Sequence, residues 1–169
     1  MAISVFFCTC GDTLNQFVNF ETLVEASKNI KEVASVHVHP SLCQENGLEI
    51  IQKEIKEKRA RAIVVATCSK RFYNPILETL GKDVLNPSLA EVVNIREQCC
   101  WVHPKKDEAT AKAKQLVLAG IEKAKNLKPI ETKQFKIQEQ ALVIGAGVAG
   151  IQASLDLANQ GFKVYLLDQ

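Results

Sequence analysis

Six cysteines and one glycine-rich turn are the residues of this 169-residue sequence whose types and spacing point to chemistry. The cysteines are Cys8, Cys10, Cys43, Cys68, Cys99 and Cys100. They form no C-x-x-C pair, which weakens a zinc ribbon or a ferredoxin-type run. Thiolates far apart in sequence still build an iron–sulfur site when the fold makes their loops converge. In a reducing compartment structural disulfides are disfavoured. Two thiol chemistries compete with a cluster: a nucleophile at Cys8 or Cys10 beside the Gly11-Asp12-Thr13 turn, and a redox disulfide between Cys8 and Cys10. The first lacks the Arg that closes a phosphatase-type loop, and the second has the wrong spacing, so both rank below a cluster. A further alternative is a non-catalytic docking module whose cysteines are small buried apolar residues.

The glycine turn is Gly145-Ala146-Gly147-Val148-Ala149-Gly150. An apolar strand precedes it, a helix opens on it, and a second strand ends in Asp168, which is the context a dinucleotide-binding turn requires. Gly145 permits the tight turn and Gly147 lets the backbone approach a pyrophosphate. Gly150 allows helix and strand to pack closely, and Asp168 would accept a hydrogen bond from a ribose hydroxyl. Incidental glycines in a structural turn are the alternative. A third segment runs from Asn94 to Pro104 around Cys99 and Cys100. Its Trp101 is the sole Trp of the chain and reads as core packing. His103 reads as a loop residue or a partner for a helix end, and Arg96 and Glu97 as partners of one another or of a neighbouring domain.

The elements that position these residues follow from hydrophobic periodicity. Strands are expected at residues 3–7, 34–39, 61–66 and 89–95, and helices at about 19–30, 47–56, 74–80 and 107–126. Strands that are apolar on both faces and alternate with helices make a doubly wound parallel α/β domain, flavodoxin- or Rossmann-like, over residues 1–126. Ligands of such sheets bind beyond the C-terminal strand ends. Each cysteine follows a strand, so all six are expected at that edge. Residues 127–140 are polar, include Pro129 and read as a linker. Residues 141–169 form an incomplete Rossmann βαβ unit: strand 141–144, helix 148–160 and strand 162–167. One such unit cannot enclose a dinucleotide, so the chain is expected to be a fragment or to be completed by another chain.

Composition adds exclusions. The sequence is 47% hydrophobic and 24% charged with a formal net charge of +2, which is ordinary globular composition. Its 21 Lys and Arg against 19 Asp and Glu give no field that would recruit nucleic acid. No apolar run approaches the ~18 residues of a membrane span, and residues 2–7 lack the charged flank of a leader. A cytoplasmic protein is expected.

Taken in order, C-T-C-G after the first strand, V-V-A-T-C-S after the third, N-I-R-E-Q-C followed by W-V-H, A-T-A-K-A-K, and A-L-V-I-G-A-G-V-A-G-I-Q-A strongly resemble the A-subunit of heterodisulfide reductase and its relatives. The resemblance implies an electron-transfer iron–sulfur flavoprotein, an oxidoreductase component of a larger complex. Its [4Fe-4S] cluster domain would adjoin an FAD domain, incomplete here. The implied partners are cysteine-rich and iron–sulfur subunits, with a homodimer inside the assembly, and the implied substrates are thiol–disulfide or other sulfur redox compounds. Carried over by position, Cys8, Cys10, Cys43, Cys68 and Cys99 match family cysteines. The expected ligands are Cys10, Cys43, Cys68 and Cys99, with Cys8 in reserve. Cys100 stands where relatives usually have Ser. Thr13-Leu14, Lys70-Arg71 with Tyr73, and the segment after Cys43 depart from the usual residues, and point to a divergent or sulfur-oxidiser-like branch.

Overall fold

The fold was taken from a computed structural model, which describes residues 2–58, 60–81, 84–131 and 133–169. The chain divides into two compact units, Met1–Ile130 and Glu131–Gln169. In the first, β1 (Ile3–Cys8), β2 (Val33–His39), β3 (Ala62–Thr67) and β4 (Ala90–Asn94) form one parallel sheet in the order β2-β1-β3-β4. Both central strands are buried at every position, which is why they read as unbroken apolar runs. The edge strand β2 is only half-buried.

Helices α1 (Phe20–Lys28) and α4 (Lys106–Lys125) cover one face, α2 (Glu45–Lys58) and α3 (Lys70–Glu78) the other. The first core joins Ile3, Val5 and Phe7 of β1 to Leu23 of α1 and to Ala113, Val117 and Ile121 of α4. The second joins Phe6, Ile63 and Val65 to Ile51 of α2 and to Tyr73 and Leu77 of α3. Alternation along β1 thus sends Phe6 to one core and Phe7 to the other. Gly120 lets α4 lie directly on the edge strand, since a Cβ there would fall 2.5 Å from Val93 Cγ2.

Helix α3 begins four residues before the expected start at Asn74. Pro75 suggests a first-turn position by its missing N–H, yet it sits inside the helix. The short 3-10 turns Thr13–Gln16 and Pro87–Leu89 and a π turn, Arg96–Cys100, are too brief to carry a periodicity. Among the described residues of 127–138 there is neither helix nor strand, and Thr132 of the expected linker lies outside them. The start of this segment is tied to the first unit: Ser88 Oγ donates to the Lys128 carbonyl (2.9 Å) and accepts from Ile130 N–H (3.0 Å).

The second unit is a βαβ element, with β5 (Gln140–Ile144) and β6 (Lys163–Leu167) parallel and α5 (Val148–Asn159) between them. Among the described residues no helix is long and apolar enough to cross a membrane.

Two contacts of the first unit test this packing. Gly120→Ala gains about 1 kcal/mol of helix propensity but overpacks Val93 at a cost of about 1–3 kcal/mol, so a net loss of stability is expected in urea melts. Combining it with Val93→Ala should recover on the order of 1 kcal/mol, and strict additivity would refute the contact. Tyr73 is fully buried and its hydroxyl donates to the Leu42 carbonyl at 2.8 Å. Tyr73→Phe leaves that carbonyl unpaired, with an expected loss of about 1–3 kcal/mol; an unchanged midpoint would show that this bond does not hold the β2–α2 loop.

Candidate metal centre and dinucleotide turn

The strand order places a crevice between β1 and β3, because the chain leaves β1 towards one edge of the sheet and leaves β3 towards the other. Cys8 is the last residue of β1 and Cys68 follows the last residue of β3. Both are buried, at the C-terminal rim of the sheet. The Thr67 hydroxyl lies beside both, 3.8 Å from the Cys68 sulfur.

Between β1 and the first 3-10 turn the backbone adopts left-handed angles at three residues in succession: Cys10 (φ 51°), Gly11 (φ 66°) and Asp12 (φ 64°). Two of these are not glycine, and such strain persists only where neighbouring bonds impose it. The bonds are present. Asp12 Oδ1 accepts from Thr9 Oγ1 (2.8 Å), Thr13 Oγ1 donates to the Cys10 carbonyl (2.7 Å), and Gly11 N–H donates to the Pro40 carbonyl (2.7 Å). The last bond ties the Cys10 loop to the loop that carries Cys43.

The loop sets the Cys10 side chain beside Cys8, whose own thiol lies 3.6 Å from the Pro40 carbonyl. The Cys10 side chain is the largest influence on Cys8 and lowers it to about 5, against the effect of burial, with further help from Leu42 and Cys10 backbone N–H groups. Cys10 is held correspondingly in its protonated form by Cys8 and by burial, while the Arg96 guanidinium beside it acts in the opposite sense. Cys43 is exposed at its residue level, yet desolvation of its thiol raises it, and it also feels the charges of Cys8 and Cys68. Tyr73 is pushed above its ordinary value by burial first, then by Cys8, Cys43 and Cys68.

Four thiols, Cys8, Cys10, Cys43 and Cys68, therefore share one electrostatic neighbourhood at the strand ends. Cys99 and Cys100 stand apart from it. They lie in the π turn after β4, fully buried in the core under α1 and α4, whereas Cys8 and Cys68 pack in the core under α2 and α3. Burial pushes each of this second pair up to about 11, as expected of thiols kept neutral among apolar side chains. Cys10 touches both cores. Among the described residues, no three His, Cys, Asp or Glu side chains are already set to hold a single metal ion.

The residues around Cys99 divide differently from what the sequence suggests. Glu97 pairs with Asn94, whose side chain donates to Glu97 Oε2 (2.9 Å) and accepts from Glu97 N–H (3.0 Å). The His103 ring lies 3.0 Å from the Cys99 carbonyl, at the end of the turn. Trp101, expected in the core, is 64% exposed. Its ring is covered by Arg96, whose guanidinium carbon lies 5.0 Å from the ring centroid. Arg96 and Tyr73 are site residues that periodicity does not single out; the signal available for both is their proximity to a cysteine in sequence, at Cys99 and Cys68.

In the second unit each glycine of the turn has a distinct geometry. Gly145 has φ +100° and donates its N–H to the Leu167 carbonyl at 2.7 Å. A Cβ on Gly150 would fall 1.8 Å from the Gly145 carbonyl oxygen. Gly147 caps α5, a Cβ there would meet nothing within 4 Å, and no side chain caps the helix. Asp168 lines a cleft of about 360 Å³ together with Ile144, Gly145 and Leu167.

No family model matches the chain. Curated proteins do. The first of two CoB–CoM heterodisulfide reductase iron-sulfur A-subunits of Methanopyrus kandleri is 43% identical over 99% of this chain and 25% of its own length. A heterodisulfide reductase A-subunit-like protein of Archaeoglobus profundus is 40% identical over 99% of this chain and 24% of its own length. The A-subunit of the H(2):CoB-CoM heterodisulfide,ferredoxin reductase of Methanothermobacter marburgensis is 40% identical over 99% and 26%. The chain spans about a quarter of the length of these relatives, and the likeness runs through both units rather than one motif. Over nearly its whole length this chain is thus similar, at 37–43% identity, to part of proteins named as heterodisulfide reductase A-subunits.

Proposed function

We propose that the chain carries the iron–sulfur unit and the first dinucleotide-binding βαβ element of an electron-transfer flavoprotein subunit, part of a cytoplasmic heterodisulfide-reductase-like oxidoreductase complex. The observation that carries this reading is the gathering of Cys8, Cys10, Cys43 and Cys68 around the crevice between β1 and β3. Their donor chemistry suits iron and sulfide: soft thiolates, partly withdrawn from water, one already driven towards its ionised form. A [4Fe-4S] cluster is larger than a single ion and takes its ligands from around its body, so thiols that converge from three loops fit it better than they fit zinc. Cys10, Cys43 and Cys68 are three of its proposed ligands. The common neighbourhood favours Cys8 for the fourth place over Cys99, which is buried in the other core. Residues 1–126 are in this reading the cluster domain, joined through 127–140 to the start of an FAD domain at 141–169.

In that second unit Gly145 and Gly150 set the turn, Gly147 leaves room for a pyrophosphate at the free N-terminus of α5, and Asp168 stands at the strand end where a ribose hydroxyl would bind. When bound, cluster and FAD supply the redox chemistry, single electrons and electron pairs respectively, and the protein supplies ligands, orientation and electrostatics. The names of the relatives, A-subunits of a heterodisulfide reductase, support a multi-subunit complex and a disulfide substrate, and partner subunits that carry iron–sulfur centres belong to the proposal. A cysteine-rich partner and a homodimer complete the proposal.

A second reading, nucleophilic or disulfide chemistry at Cys8 and Cys10, draws on the driven ionisation of Cys8. The burial of that sulfur, 2% exposed, makes it a ligand rather than a nucleophile open to substrate.

Anaerobic reconstitution followed by iron and sulfide analysis is expected to give about four of each per chain. Fewer than about two irons, together with one fast-reacting thiol, would favour the second reading. Serine at Cys8, Cys10, Cys43 or Cys68 should lower the iron content, whereas Cys99→Ser and Cys100→Ser should retain it; loss with Cys99→Ser and not with Cys8→Ser would move the fourth place to Cys99. Flavin titration of the 169-residue chain should reveal weak FAD binding that Gly150→Ala abolishes. Tight stoichiometric flavin, or binding indifferent to Gly150→Ala, would contradict the assignment of this turn.

A further inference from the structure

Arg96 opens the π turn Arg96–Cys100, and its carbonyl accepts the Trp101 N–H at 3.1 Å, five residues on. The same two residues meet again through their side chains, with the guanidinium 5.0 Å from the indole centroid. A guanidinium held by a ring and by its own turn has little freedom to leave the strand-end crevice. Arg96 directly follows Ile95, which lies in the core that Cys10 packs against, and its positive charge acts on Cys10 and reaches Cys43. Its Nε is buried and has no hydrogen-bond partner among the described residues. An unpaired buried donor is costly, and a charged one more so, which calls for an acceptor that the polypeptide itself does not supply.

We propose that Arg96 is a positioning residue for the cluster: clamped by Trp101, it holds a positive charge on the Cys10 side of the thiol group, with its buried Nε–H still unpaired, and thereby raises the reduction potential. The inference rests on the cluster reading above. One electron taken up by the bound group adds one negative charge beside the guanidinium, so Arg96 stabilises the reduced state more than the oxidised one. Hydrogen bonds to sulfur act in the same direction. Trp101 contributes by keeping the guanidinium in place on its solvent side.

The test is a potentiometric titration, followed by electron paramagnetic resonance, of the reconstituted full chain and of Arg96→Gln, Arg96→Lys, Trp101→Leu and, as a charge control on the exposed face of α2, Lys53→Gln. Arg96→Gln should keep its iron and sulfide while its redox equilibrium constant falls tenfold or more, a midpoint lower by at least 59 mV for a one-electron couple. Arg96→Lys should restore part of the shift, Trp101→Leu should show a smaller fall, and Lys53→Gln none. A loaded Arg96→Gln chain with an unchanged midpoint overturns the proposal. So does Arg96→Lys shifted as far as Arg96→Gln, or loss of iron in both Arg96 variants, which would make the residue structural. If Arg96→Gln alone fails to load, Trp101→Leu decides: a lowered midpoint supports the proposal and an unchanged one overturns it. A wild-type chain that takes up no iron removes the cluster reading itself, whereas a loaded wild type beside an unshifted Arg96→Gln removes this inference alone.

Discussion

Burial of β1 and β3 on both faces is the constraint from which the rest of the first unit follows. A strand between two helical layers has no wet side, so every polar group within it needs a partner or costs on the order of 1–3 kcal/mol. Ser4 in the middle of β1 obeys this: it accepts from Ser35 Oγ at 2.9 Å and donates to Glu54 Oε1 at 3.4 Å. Chemistry that needs solvent, ligand or a changing charge is thereby excluded from the strands and displaced to their ends. At the ends the register decides which loops meet. Cys8 pairs across with His39, and Phe7 with Ala66. The loops after β1, β2 and β3 therefore leave the sheet side by side, and all three bring thiols.

Register alone would leave Cys8 and Cys10 on a β-strand alternation, two residues apart and facing the same way. The left-handed run at Cys10, Gly11 and Asp12 changes that by turning the chain within three residues. Left-handed angles cost of order 1–3 kcal/mol at a residue that carries a Cβ. The Thr9–Asp12, Thr13–Cys10 and Gly11–Pro40 hydrogen bonds, at about 1 kcal/mol each, offset that cost locally. Backbone strain is thus concentrated where the thiols need to converge, and one of the bonds that supports it reaches into the Cys43 loop. Position of the thiols and stability of the loop depend on the same contacts.

Much of this is legible in the sequence. The apolar runs at β1 and β3, the alternation of strands and helices, and the placement of cysteines after strands are all consequences of periodicity, and the parallel four-stranded sheet follows from them. The glycine turn is legible for the same reason: positive φ at Gly145 and the 1.8 Å approach at Gly150 are requirements that only glycine meets. What is not legible depends on single turns. Pro75 suggests a helix start, but α3 begins at Lys70, directly after its N-cap Ser69, and takes Pro75 into its interior. Trp101 reads as core because a large apolar side chain usually is, yet it is exposed, with Arg96 against one of its faces. No periodicity exists in five residues from which either could be inferred.

The π turn carries one of two populations of thiol. Residues five apart on an α-helix point roughly 140° away from each other. The wider turn that closes on the Arg96 carbonyl brings Arg96 and Trp101 into contact instead. Cys99 and Cys100 of the same turn lie in the core beneath α1 and α4, whereas Cys8 and Cys68 pack in the core under α2 and α3. Beneath α1 and α4 desolvation raises both thiols, while at the rim the Cys10 side chain and the Leu42 and Cys10 backbone N–H groups lower Cys8. Six chemically identical side chains that follow strands of one sheet thus divide into a polarised group near the strand ends and an apolar pair that packs in the core. The residue at the head of the π turn, Arg96, is the one that brings a positive charge to the polarised group.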